Sequence, residues 1–85
     1  MKVLIPGALR SYTRGSPVEA QGSTLAAMFA DLERQFPGLR FRVVDEQGLL
    51  RANMRIFVNG VGVRDLGFAL APGDSVALVL ALSGG

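Results

Sequence analysis

The sequence predicts an α+β fold, with one main helix packed on one face of a mixed β-sheet. Three observations carry this reading. An apolar stripe with helical spacing runs from Leu25 to Phe36, and short strand-like segments lie on both sides of it. The segment from Val76 to Leu80 is continuously apolar, as a strand buried at a sheet centre is.

In chain order, Lys2-Val3-Leu4-Ile5 reads as a first strand, ended by Pro6-Gly7. Residues 8–16 form a polar connection. Pro17 to Ala20 is expected to return as a second strand, making a hairpin with the first. Ser23 or Thr24 then supplies a hydroxyl to cap a helix. Leu25, Met28, Phe29, Leu32 and Phe36 share one face of that helix, and Asp31, Glu33, Arg34 and Gln35 form its wet face. Pro37-Gly38 stops it. Phe41-Arg42-Val43-Val44 is expected to be a short strand, followed by a turn at Asp45–Gly48. Met54 to Val58 is a clear strand. Asn59-Gly60 is the strongest short hairpin signal in the chain, because both central residues of a type I′ turn need positive φ. Val61 to Arg64 is the returning strand, and Pro72-Gly73-Asp74 turns the chain into the last one. The first and last strands are expected side by side and parallel at the sheet centre, because the helix crossover separates the two halves.

The composition narrows the function. An 85-residue chain accommodates one domain with a modest core. It contains no cysteine and no histidine, so disulfides, thiolate nucleophiles and the commonest general base and metal ligand are all excluded. No acidic spacing suggests a metal cage or an acid/base pair. The chain is thus expected to have no metal site, no bound cofactor and no catalysis of its own. Apolar runs fall far short of the ~20 residues of a membrane span, no signal segment is visible, and a cytoplasmic protein follows by default. The formal charge of +2 is small, and the eight arginines are scattered, so neither nucleic acid nor membrane is expected as a partner. A plain solvated surface or an acidic protein partner accounts for them.

The sequence ends Leu80-Ala81-Leu82-Ser83-Gly84-Gly85. Residues 1–81 are expected to be the folded domain and 82–85 a flexible Gly-Gly tail. In a chain with 11 glycines a terminal pair is suggestive by itself and not decisive. Its chemistry means more. Residues without Cβ can thread a narrow channel, and a carboxylate at Gly85 leaves its carbonyl carbon unshielded for adenylation and attack by sulfur. The partner must supply ATP, Mg²⁺ and the stabilising groups.

Several segments, taken in order, resemble the bacterial sulfur-carrier family that includes the molybdopterin synthase small subunit and the thiamine-pathway carrier. They are Ile5-Pro6 with Leu9-Arg10, Gly22-x-Thr24-Leu25, Asp31-Leu32-Glu33, Phe36-Pro37-Gly38, Ile56-Phe57-Val58-Asn59, Val63-Arg64, Gly73-Asp74-x-Val76 and Gly84-Gly85. The opening segment and the Ile56–Arg64 segment look most like the cysteine-biosynthesis branch. The family carries Pro shortly before Gly-Gly more often than the Leu80–Ser83 found here.

The resemblance implies a ubiquitin-like β-grasp fold. It also implies adenylation of Gly85 by an E1-like activating enzyme, with Gly84 beside it, and conversion to a thiocarboxylate. A sulfur-acceptor enzyme, such as a PLP-dependent cysteine synthase, would use that group, and a metalloprotease would then release cysteine. By the same resemblance Val3, Ile5, Ile56, Val76 and Leu78 are core. Leu4, Phe57, Ala77 and Val79 form an exposed docking patch, joined by Leu82 and Ser83 in the tail. A register slip of one residue would swap the two lists. Arg10, Arg55 and Arg64 either flank the patch and meet acidic groups of the activating enzyme or are surface arginines without a partner. Two other functions stay open: a protein modifier joined to a target lysine, and a subunit or interaction module such as the molybdopterin synthase small subunit.

Overall fold

The computed structural model describes residues 1–81. Five strands form one sheet: β1 (Lys2–Leu4), β2 (Val18–Glu19), β3 (Met54–Val58), β4 (Val61–Val63) and β5 (Ser75–Leu80). Their spatial order is β2-β1-β5-β3-β4. β1 and β5 run parallel, with Val3 level with Val76, and every other neighbouring pair is antiparallel. The sheet is therefore mixed, with its one parallel pair near the centre, as expected.

The main helix is α2 (Leu25–Gln35). Thr24 is the residue that caps it, its hydroxyl accepting the Ala27 N–H at 3.1 Å. Leu25, Met28, Phe29 and Leu32 are fully buried against the inner face of the sheet. From the sheet, Val3, Ile5, Ile56, Val76 and Leu78 complete the core, and Met28 and Met54 fill gaps in it. The five sheet residues expected in the core are all buried, whereas Phe36, expected on the apolar face of the helix, is its C-cap and only partly buried. Gly22 is pressed against the first turn of α2, where a Cβ would lie 2.5 Å from the Met28 nitrogen.

Two segments depart from expectation. Phe41–Val44 is not a strand: residues Leu39–Val43 form a short helix, α3. Gly38, at φ 95°, reverses the chain directly after α2. The Glu33 carboxylate then accepts the N–H groups of Gly38 (2.9 Å) and Arg40 (3.0 Å), which the new helix leaves without backbone partners. Leu39 and Val43, one helical turn apart, both point into the core, and the adjacent Val44 is buried with them, which strand alternation would not allow. Only Val44 keeps a sheet-like pairing, as an isolated bridge to Leu50. The second departure lies in the polar connection, which holds a 3₁₀ turn (Gly7–Leu9) and one turn of helix, α1 (Arg10–Thr13). Leu9 anchors it by burial.

The β3–β4 hairpin turns at Asn59 and Gly60, both at positive φ. Asn59 does more than turn the chain. Its amide donates to Asp74 at 3.0 Å and its oxygen accepts the Ser75 N–H at 2.9 Å, tying the hairpin to the start of β5. Asp74 also accepts the Ala71 N–H at 2.8 Å, which closes its own turn.

Candidate functional site

Strand alternation leaves the sheet with a second, helix-free face. The register places Leu4 beside Ala77, Ala77 beside Phe57 and Phe57 beside Gly62, a single row across four strands. Phe57 is half-buried because its ring covers Gly62, where an added Cβ would sit 3.7 Å from the ring edge. Leu4 is 45% exposed, and Val79, one row further along β5, is 40% exposed. Leu4, Phe57, Ala77 and Val79 thus lie on one surface, opposite the buried Val3, Ile56, Val76 and Leu78. Apolar side chains gathered on an open sheet face form the kind of surface that a partner covers.

Arginines lie at one end of this surface. Arg55 pairs across the sheet with Val79. Its guanidinium donates to the carbonyls of Ala52 (2.7 Å) and Met54 (2.9 Å). Arg64 reaches the same Met54 carbonyl at 3.4 Å, and that of Leu50 at 3.4 Å. The structure therefore brings Arg55 and Arg64 together beside the end of β5, since Met54 is level with Leu80. Arg10 lies on the other side of β5, holding the Ile5 carbonyl at 3.2 Å just beyond β1. The ion pairs among the described residues join Met1 to Glu19 and Arg34 to Asp31, so none engages these three arginines.

The chain leaves this end of the sheet centre. The Ala81 N–H donates to the Asn53 carbonyl at 2.7 Å, the last backbone anchor among the described residues. Leu82, Ser83, Gly84 and Gly85 lie outside the described residues. The sequence offered no sign of Asn53 as the anchor, because a backbone carbonyl has no residue-type signature.

Among the described residues no three acidic side chains gather where a metal ion could be held, and no helix is long and apolar enough to cross a membrane. Exposed acids instead hold loops together. The backbone N–H of Ala71 and then the Asn59 amide keep the Asp74 carboxyl below its usual range.

A mixed five-stranded sheet with a crossing helix and a helix-free face defines the ubiquitin-like β-grasp class. The chain belongs to the ThiS family, whose model matches residues 3–85. The sulfur carrier protein CysO of Mycobacterium tuberculosis is 40% identical over 89 residues, covering 98% of this chain and 96% of that protein. The crystal structure of M. tuberculosis CysO superposes with a TM-score of 0.90 at 38% identity, covering 95% of this chain and 98% of that one. A chain of the Amycolatopsis orientalis BexX/CysO complex superposes with a TM-score of 0.91 at 32% identity, covering 99% of this chain and 98% of that one. This kinship supports a sulfur-carrier role, that of a carrier rather than of a catalyst.

Proposed function

We propose that the chain carries sulfur as a thiocarboxylate at Gly85. In this reading an adenylating enzyme, using ATP and Mg²⁺, joins AMP to the Gly85 carboxylate and releases pyrophosphate. A sulfide donor attacks the carbonyl carbon, and AMP leaves with its electron pair. The thiocarboxylate then gives its sulfur to an acceptor enzyme in cysteine or cofactor biosynthesis. This chain's own part is to present the group and to be recognised. Leu4, Phe57, Ala77 and Val79 offer the apolar surface, Arg10, Arg55 and Arg64 the charge, and Leu82, Ser83 and Gly84 the slim approach to the reacting carbon.

The observation that carries the reading is the near full-length match to a sulfur carrier, together with a family match that extends through Gly84-Gly85. The folded part agrees with it. β5 lies between β1 and β3, so Ala81, the last described residue, stands at the end of the central strand beside the apolar row.

The test is intact mass after incubating the full chain with ATP, Mg²⁺, sulfide and the activating enzyme of the same cell. Exchange of one oxygen for sulfur adds about 16 Da, and deleting Gly85 abolishes the gain. No gain with a competent activating enzyme would sink the proposal. A second reading, a protein modifier, draws on the TM-score of 0.79 and 28% identity to the Haloferax volcanii protein SAMP1. It predicts higher-mass conjugates in place of the sulfur gain.

A further inference from the structure

Beside the chain exit, and apart from the apolar row, lies an open cleft of about 730 Å³. α3 contributes Phe41 and Arg42, the following loop Leu49, Arg51 and Asn53, and the segment after β4 Arg64. Two features set it apart from an ordinary solvated surface. Phe41 is 55% exposed and Leu49 59% exposed, although buried neighbours on α3 and in the loop show that both segments had a core available. The cations are also held in place. Arg51 donates to the Phe41 carbonyl at 2.7 Å and lies 4.5 Å from the centre of its ring, which keeps the guanidinium over the aromatic face. Arg64 is tied to the floor through the Leu50 carbonyl. Arg42 makes no side-chain hydrogen bond or ion pair among the described residues.

The cleft contains one acid, Asp45, and it is turned to its own loop. One of its oxygens accepts the N–H groups of Gln47 (2.8 Å) and Leu49 (3.0 Å). Three guanidiniums around an exposed aromatic and an exposed leucine, against a single carboxylate, make a surface complementary to acidic residues flanking an apolar one. Exposed aromatics beside arginines are the composition in which interface binding energy concentrates.

The position of the cleft says which partner meets it. Asn53 lines it, and the Asn53 carbonyl holds Ala81 at 2.7 Å. A protein that acts on the chain beyond Ala81 therefore works within a few residues of this cleft. We propose that the arginine cleft docks an acidic surface segment of the protein that handles the chain's C-terminal end. The inference rests on the carrier reading for the partner's role, and on the cleft itself for the chemistry.

The test follows backbone amide shifts of the full, isotope-labelled chain as a blocked peptide, Glu-Asp-Leu-Asp-Glu, is added. A matched peptide with Gln and Asn in place of the acids is the control. The acidic peptide is expected to move amides at 39–43, 49–53 and 64, with a Kd of about 1 mM or tighter. Added salt weakens it. Arg42→Glu is expected to weaken binding at least about five-fold, with Arg42→Lys restoring most of it. Equal shifts from the neutral peptide, shifts centred on Arg14 or Arg34, no shifts, or indifference to Arg42→Glu would each overturn the proposal. Tighter binding of inorganic phosphate at the same residues would overturn it in favour of a plain anion site. Deleting Gly84 and Gly85 is expected to leave peptide binding unchanged. A chain that gains sulfur but ignores the peptide therefore refutes the cleft alone. A chain that binds the peptide but never gains sulfur refutes the carrier reading alone.

Discussion

Phe57 stands directly across from Ala77 on neighbouring antiparallel strands, with its ring over Gly62 on the opposite side. An aromatic side chain is thereby supported from beneath while its outer surface stays open, on the helix-free face of the sheet. The small neighbours make this possible, since a large residue at either position would crowd the ring or hide it.

Replacing Phe57 by alanine is expected to leave the fold intact and to weaken docking. Truncating a central aromatic contact costs about 2 kcal/mol, or more than tenfold in affinity. Steady-state kinetics of activation should show a rise in KM with little change in the unfolding temperature. An unchanged KM would remove Phe57 from the docking face.

Arg55 and Arg64 meet at one carbonyl and have no acidic partner among the described residues. Reversing either charge is expected to slow association with an acidic enzyme surface, by about three- to tenfold at low salt. The loss should shrink as salt is raised. Stopped-flow rates at two ionic strengths decide it, and rates that ignore both salt and sign would make these arginines bystanders.

Gly22 has no room for a side chain, since a Cβ would lie 2.5 Å from the Met28 nitrogen and 2.8 Å from the Ala27 carbonyl carbon. Gly22→Ala is expected to cost about 3 kcal/mol or more, because backbone must move. Gly7→Ala is the control, having open space around it. Urea midpoints for the two variants should separate widely, and equal midpoints would mean that α2 can shift freely.

Acid should loosen the joint between α2 and α3. The Glu33 carboxyl sits below its ordinary value of 4.5, first because of the Gly38 N–H and then that of Arg40. A carboxyl lowered by folding contributes stability that is fully present above its unfolded value. That stability is lost as pH falls through the lower folded one. Asp31, Asp45 and Asp74 are lowered from 3.8 by hydrogen bonds of their own. The unfolding temperature is therefore expected to be flat from neutral pH down to about 5 and to fall below about 4. Glu33→Gln should flatten part of that fall, and an identical profile would show that Glu33 plays no part in it.

Much of the fold was legible because its signals are local. Helical spacing from Leu25 to Leu32, a hydroxyl at Thr24 and Asn59-Gly60 between two apolar runs each act over a few residues. The Phe41–Val44 segment was misread for the opposite reason. Phe-Arg-Val-Val has strand-like residues, and its helix depends on Gly38, on the distant Glu33 and on a core that takes Leu39 and Val43 together. The upstream Gly38 was the available sign, since a spacing of four between Leu39 and Val43 suits a strand's period as well as a helix's. The cleft beside the exit was invisible for the same reason, since it exists only once α3 is a helix.

The sequence by itself determined the family, the main helix, the central pairing of the first and last strands, and Gly85 as the residue to propose for the chemistry. These rest on residue type and spacing, which the chain carries along its length. Only the tertiary structure decided which alternate residues face the helix, because a strand's period of two permits either face. Pairing Val3 with Val76 and Ile56 with Leu78 settles it. It also decided what stands beside the chain exit, since Asn53, Arg55, Arg64 and Ala81 meet through hydrogen bonds to backbone carbonyls, which no sequence pattern records.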